Sequence, residues 1–128
     1  MSKFALVEMS QVRGKIKYFK LSIDNSCPFD EFCKAIRAEG NLAKQLVGIF
    51  SNFDQIANLK TLPKEKFRDI TPGKELVKEY EFKKGDLRVY AFKDPAGHVV
   101  VVGGKKSTQD EDITWFRSIK KRYFDLKN

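Results

Sequence analysis

Histidine and cysteine are scarce in this chain of 128 residues, which contains one histidine, His98, and two cysteines, Cys27 and Cys33. Histidine-rich zinc sites and catalytic histidine pairs are therefore excluded. The two cysteines are too far apart along a predicted helix for an unstrained disulfide, which favours free thiols. His98 follows Pro95-Ala96-Gly97 and is predicted to be an exposed turn residue rather than a catalyst. It stays a candidate because no other side chain here titrates near neutrality.

Long apolar runs and nucleotide-cofactor motifs are also missing. No apolar run approaches the ~18 residues that span a bilayer, and the apolar stretch near the N-terminus is too short for a signal peptide. Neither a phosphate-binding loop motif nor a dinucleotide-binding glycine motif occurs. Asp110-Glu111-Asp112 is interpreted as the charged start of a helix rather than a metal site. We therefore expect one cytoplasmic domain, residues 1–128, without membrane, metal or cofactor.

Positive charge dominates, and it is unevenly distributed. The net charge is +8, and from Lys60 onward 17 Lys or Arg stand against 11 Asp or Glu. A basic half favours nucleic acid over membrane as the partner, because no predicted helix has the strongly apolar face of an interfacial anchor. The alternative is a lysine-rich surface that serves solubility alone.

Hydrophobic periodicity predicts the element order β-β-α-α-β-β-β-α, an α+β fold with helices packed on a mostly antiparallel sheet. The predicted N-terminal elements are a hairpin of Phe4 to Glu8 with Ile16 to Ile23, bulged near Tyr18, and two helices. The first helix is opened by Asn25-Ser26-Cys27-Pro28 and stopped by Glu39-Gly40, and the second runs from about Asn41 to Ile56. A polar connector is expected after Lys60, followed by three strands and a final helix from about Asp112. The fold prediction is thus an N-terminal hairpin, two helices after it and one C-terminal helix.

The candidate chemistry lies in the hairpin predicted around Lys84-Gly85. With these two residues as the loop, Glu81 faces Arg88 across the strands, on the face away from the Phe82–Leu87 pair. Arg88 is then placed to bind a phosphate, with Glu81 orienting it. An ordinary cross-strand ion pair is the alternative.

Lys105-Lys106 ends the last predicted strand, after two glycines. We expect that strand to pair beside Leu87 to Phe92, so that Lys105 or Lys106 joins Arg88 in one concave basic patch. The alternative is a solvated turn. Within the patch, Tyr90 and Lys83 are predicted to transfer protons or to orient the substrate.

A series of motifs resembles the RelE/HigB-like toxins of type II toxin–antitoxin systems. The motifs are Leu62-Pro63 followed by Phe67, then Tyr80-Glu81-Phe82, Leu87-Arg88-Val89-Tyr90, a hydrophobic strand ending in Gly-Lys-Lys, and a basic helix with Arg122-Tyr123. The resemblance covers roughly Phe29 to Asp125 in element order. It implies a RelE-like fold and a metal-independent endoribonuclease that cleaves mRNA, often on the ribosome, until a cognate antitoxin neutralises it. In that chemistry the ribose 2′-hydroxyl attacks the adjacent phosphate.

The resemblance implies catalytic roles for Arg88, Lys105 and Lys106, to which the hairpin pattern adds Tyr90. The predicted RNA-binding residues are Lys78, Lys83, Lys84, Arg117 and Lys121. Related toxins often carry a histidine near the end of the last strand, where this chain has Val102 and Gly103. They also carry a catalytic tyrosine in the final helix; Tyr123 lies far along that helix, and Trp115 is nearer the expected place. Two other functions therefore stay open: a non-catalytic RNA- or ribosome-binding module of the same fold, and a docking surface for an antitoxin-like peptide.

Overall fold

The computed structural model describes residues 2–127, and the side chains of residues 2–126. Its elements are β1 (Phe4–Glu8), β2 (Tyr18–Ile23), α1 (Pro28–Glu39), α2 (Ala43–Ala57), β3 (Phe67–Asp69), β4 (Glu79–Lys84), β5 (Leu87–Asp94), β6 (Gly97–Lys105), a short 3-10 turn (Lys106–Thr108) and α3 (Gln109–Lys127). The predicted α+β class is confirmed, with its N-terminal hairpin, two following helices and C-terminal helix. Across residues 2–127, no helix is both long enough and apolar enough to cross a membrane.

The six strands form one sheet in the order β1-β2-β6-β5-β4-β3. Neighbouring strands run antiparallel, except that β2 lies parallel to β6. Helices α1 and α2 cover one face, where α1 packs on β6 and α2 packs on β4 and β5. Helix α3 covers β5 and β6 on the other face. The sheet therefore has an apolar core on each side.

Strand β5 contributes to both cores because its side chains alternate between the two faces of the sheet. Leu87, Val89 and Ala91 belong to the core under α1 and α2, whereas Tyr90 and Phe92 belong to the core under α3. Helices on both sides explain why this strand is a nearly continuous buried run.

Two expectations about the elements are wrong. The segment predicted as a connector contains β3, which pairs with β4 from Phe67↔Phe82 to Asp69↔Tyr80. A segment of three residues, two of them charged, is too short and too polar to show a strand pattern in the sequence. The bulge expected near Tyr18 is not there, since β1 and β2 pair without a shift. Ile16 instead precedes the strand, and its backbone N–H donates to the carbonyl of Ala57 at the end of α2.

Candidate functional site

Several polar side chains lie between the sheet and the start of α3, and three of them, Glu81, Arg88 and Tyr90, are buried. We call them the inner cluster, which consists of Arg68, Glu81, Lys83, Arg88, Tyr90, Gln109 and Asp112. They come from β3, β4, β5 and the first turn of α3. Buried polar groups lose their hydration and are normally hydrogen-bonded, so each member can be examined for its partners.

Glu81 is the anionic centre of the inner cluster. Its side chain is fully buried, and it lies 3.0 Å from Nη2 of Arg68 and 3.8 Å from Nζ of Lys83. The Gln109 amide donates a hydrogen bond to its other carboxylate oxygen. Arg68 is 43% exposed and Lys83 is 20% exposed, so the two cations join the buried carboxylate to the protein surface.

Arg88 is buried beside Glu81, and one of its N–H donor groups makes no hydrogen bond. Its Nη1 donates to the carbonyls of Gly85 at 2.7 Å and Leu87 at 2.8 Å, which turns the guanidinium toward the hairpin loop. Its Nε is buried without a hydrogen-bond partner among the residues that the structure describes. Such a donor costs about 1–3 kcal/mol when it is left unsatisfied.

The Tyr90 hydroxyl is a second buried donor without a hydrogen bond, two residues further along the same strand face. The residue is fully buried, and its hydroxyl has no hydrogen-bond partner within residues 2–127. Burial raises the pKa of the phenol, and the nearby carboxylates of Glu81 and Asp112 raise it further. Tyr90 therefore keeps its proton near neutral pH, where it can donate a hydrogen bond or a proton but cannot act as a base.

The hairpin register that we predicted is wrong by one residue in each strand. The two-residue loop is Gly85-Asp86, so Lys83 pairs with Arg88 and Glu81 pairs with Tyr90. Gly85 adopts φ +55, the positive value that favours glycine at the first position of a tight hairpin loop. The predicted alternation between faces is nevertheless correct, because shifting both strands by one residue preserves it.

The prediction that Arg88 and Lys105 lie together in one basic patch is also wrong. Lys105 pairs with Leu87, and its ammonium binds the Glu39 carboxylate of α1 at 2.8 and 2.9 Å, on the opposite face from Arg88. The cause is a register shift between Tyr90 and Ala91, where β6 contains an extra residue. Without that residue, Lys105 would lie opposite Asp86, on the same face as Arg88.

The remaining predicted residues are spread over the surface. Lys106 is exposed in the 3-10 turn, and its backbone N–H donates to the backbone carbonyl of Asp86 at 2.8 Å. Lys83 alone among the predicted RNA-binding residues belongs to the inner cluster. The others lie apart: Lys78 near Asp69, Lys84 over Gly48 of α2, Arg117 on Glu79, and Lys121 near Asp125.

Sequence reasoning undervalued His98, which is buried rather than exposed. Its Nδ1 lies 2.9 Å from the hydroxyl of Tyr18. Burial lowers its pKa to about 4, and the nearby charge of Lys93 acts in the same direction. The available signal was alternation, because His98 shares a strand face with Val100, which is a core residue.

Stability should therefore fall as the pH is lowered from about 6.5 toward 4. The unfolded chain binds a proton at His98 in this range and the folded chain does not, so acid favours unfolding. The depressed pKa, from 6.5 to about 4, corresponds to about 3 kcal/mol. Urea unfolding across this range measures the loss. His98→Gln, which cannot titrate, should show a smaller loss by about that amount, and equal losses would contradict the assignment.

Comparison with protein-family models, curated proteins and solved structures finds no match to this chain. Within residues 2–127, no group of three or more His, Cys, Asp or Glu side chains is arranged to hold a metal ion. The function must therefore be argued from the residues of the site itself.

Proposed function

We propose that this chain is a metal-independent endoribonuclease of the RelE/HigB toxin type, acting on mRNA in the cytoplasm and neutralised by an antitoxin protein. The observation that carries the proposal is the pair of idle buried donors, Arg88 Nε and the Tyr90 hydroxyl, on one face of β5. Residues i and i+2 of a strand lie roughly 7 Å apart. We assign the two donors to the non-bridging and leaving oxygens of one phosphodiester, because they lie on the same strand face two residues apart.

The surrounding charges support phosphate as the ligand. Arg68 and Lys83 lie at the exposed edge of the inner cluster, where they can bind the RNA backbone before it reaches Arg88. The net charge of +8 favours association with a polyanion. Entry of the RNA displaces the Gln109 amide from Glu81 and frees one carboxylate oxygen.

The chemistry assigned to the cluster is transfer of the phosphoryl group to the 2′-oxygen. The Glu81 carboxylate takes the proton from the 2′-hydroxyl, whose oxygen attacks phosphorus as the bond to the 5′-oxygen breaks. Tyr90 gives its proton to that leaving oxygen, and the products are a 2′,3′-cyclic phosphate and a free 5′-hydroxyl. Arg88 stabilises the additional negative charge on the phosphoryl oxygens in the transition state.

Tyr90→Phe tests this assignment without removing a structural hydrogen bond. The wild-type protein, induced in a bacterial host, should slow growth and create new 5′ ends in mRNA. Tyr90→Phe should reduce cleavage by about 10²- to 10⁴-fold, because it removes the general acid. Its melting temperature should stay the same or rise, since the deleted hydroxyl is unsatisfied.

Tyr123→Phe is the matched control, because the Tyr123 hydroxyl is buried and donates to Asp94 at 3.0 Å. It should lower stability by about 1–2 kcal/mol and leave cleavage intact. Normal growth on induction of the wild-type protein, with no new 5′ ends, would contradict the enzymatic proposal.

A non-catalytic RNA- or ribosome-binding module is the second candidate, favoured by the burial of Arg88 and Tyr90. If the inner cluster stays closed, the exposed lysines bind RNA and nothing is cut. Binding by either candidate should weaken steeply with salt, because phosphate contacts release counterions. An RNA affinity that is unchanged between 50 and 200 mM salt would refute both.

A further inference from the structure

A cavity of about 680 Å³ opens on the face of the sheet opposite the inner cluster. It lies near the C-terminal end of α2, beside Ile56, and at the start of β6 at Gly97, next to the hairpin that joins β5 to β6. Its volume falls within the roughly 300–1,000 Å³ typical of small-ligand sites. The proposed ribonuclease chemistry makes no use of this cavity.

Three aromatic rings line one wall of the cavity. Phe67 stacks on Tyr80 with ring centroids 5.1 Å apart and planes at 29°. Tyr80 in turn contacts the ring of His98, at 5.0 Å between centroids. Phe67 and Tyr80 are half-buried, so this wall borders the open space of the cavity. A wall of this kind suits a flat, aromatic ligand, because stacking on rings is favourable for any base.

Four lysines surround the opening of the same cavity. They are Lys15, Lys17, Lys60 and Lys93. All four are exposed, and in the part of the chain that the structure describes none lies within 4.0 Å of a carboxylate. Asp94 also lines the cavity, but its oxygens accept hydrogen bonds from the Ala96 N–H and the Tyr123 hydroxyl. The opening is therefore positively charged.

His98 adds a hydrogen-bonding group to the aromatic wall. Tyr18 occupies Nδ1, which leaves Nε2 as the ring nitrogen available to a ligand. The imidazole is neutral at pH 7, so it can contact an uncharged base edge without adding to the positive charge of the opening.

From this arrangement we infer that the cavity binds a nucleotide, whose base packs on Phe67, Tyr80 and His98 while its phosphate contacts the lysines. A bare phosphate would leave the aromatic wall unused, and an uncharged aromatic compound would leave the lysines unused. The same chemistry is offered by a free mononucleotide and by the terminal nucleotide of an RNA. The site is distinct from the inner cluster, so it goes beyond the proposed cleavage activity.

Calorimetric titration of the full chain at low salt tests the inference with AMP, GMP, adenosine and inorganic phosphate as probes. A mononucleotide should bind saturably and at least about tenfold more tightly than adenosine or phosphate. A short oligonucleotide with a 5′-phosphate provides the RNA arm. Tighter binding of the oligonucleotide identifies an RNA end as the ligand, and tighter binding of the mononucleotide identifies a free nucleotide.

Charge reversal separates this cavity from the general basicity of the protein. Lys17→Glu with Lys93→Glu should weaken nucleotide binding by at least about tenfold. Lys34→Glu, an exposed lysine of α1 outside the cavity, should leave it unchanged. Tyr80→Leu should reduce the affinity for AMP toward that for phosphate alone.

Two outcomes would overturn the inference: no saturable binding of any mononucleotide at millimolar concentration, or equal weakening by the Lys34 and the Lys17/Lys93 variants. Neither outcome depends on RNA cleavage. Failure of the nucleotide-binding inference and failure of the proposed ribonuclease activity are therefore distinguishable.

Discussion

Replacing Glu79 by leucine should destabilise the protein by about 3–5 kcal/mol, because it leaves the ammonium of Lys120 buried without its partner. Glu79 is 2% exposed and Lys120 is 4% exposed, and their charged atoms lie 2.8 Å apart between β4 and α3. Lys120 would retain the Val77 carbonyl and a 3.7 Å approach to the half-exposed Glu75 carboxylate. Neither replaces a buried carboxylate in direct contact.

Urea unfolding of a double-mutant cycle measures the effect. Lys120→Met should cost less than Glu79→Leu, since Arg117 still binds the Glu79 carboxylate at 2.9 Å. The double variant should cost less than the sum of the two single variants, because it leaves no buried lone charge; Arg117 also loses its carboxylate but is 41% exposed. Lys121→Met, from an exposed pair with Asp125, should stay within about 0.5 kcal/mol of wild type. Additive single effects would show that the buried pair is not coupled.

Phe53→Ala should cost about 3–5 kcal/mol, because it opens a cavity in the larger core. Phe53 is fully buried at the centre of α2. Its ring lies 4.8 Å from that of Phe82 on the sheet and 5.2 Å from that of Tyr18. It also contacts Phe29 of α1 at 6.0 Å. One side chain thus joins two helices and two strands.

Val47→Ala is the matched control, since Val47 belongs to the same helix and is 71% exposed. Its effect should stay within about 0.5 kcal/mol, apart from a small gain in helix propensity. Denaturant midpoints of the two variants, compared at equal slope, decide the matter. If both variants unfold at the wild-type midpoint, α2 does not pack on the sheet through Phe53.

The sequence was a good guide where one periodic pattern dominates a segment. Pro28, with Asp30 and Glu31 in the first turn, marked the start of α1, and the apolar stripe through Ile49 and Phe53 identified the buried side of α2. Such patterns are reliable because burial of one helix face is what stabilises the helix. Alternation in β5 likewise assigned its side chains to the correct faces.

The geometry of the site was harder to predict from the sequence, because it depends on shifts of a single residue in strand register. One extra residue in β6 moves Lys105 from the face of Arg88 to the face of Glu39. A bulge of this kind changes neither composition nor periodicity enough to be recognised in one sequence. The burial of Tyr90 under α3 depends on how the final helix packs, and contacts so distant along the chain are not encoded in a local pattern.

The parallel pairing of β2 with β6 has a consequence for the synthesis of the protein. Tyr18 to Lys20 lie beside His98 to Val100, so β2 obtains its second neighbour only after every element from α1 to β5 has been made. A two-stranded hairpin alone is marginally stable in water. The hairpin of β1 and β2 therefore stays partly unpaired while the elements from α1 to β5 emerge. A chain released before Gly97–Lys105 is made would expose an open strand edge, which favours aggregation and degradation over a partly active product.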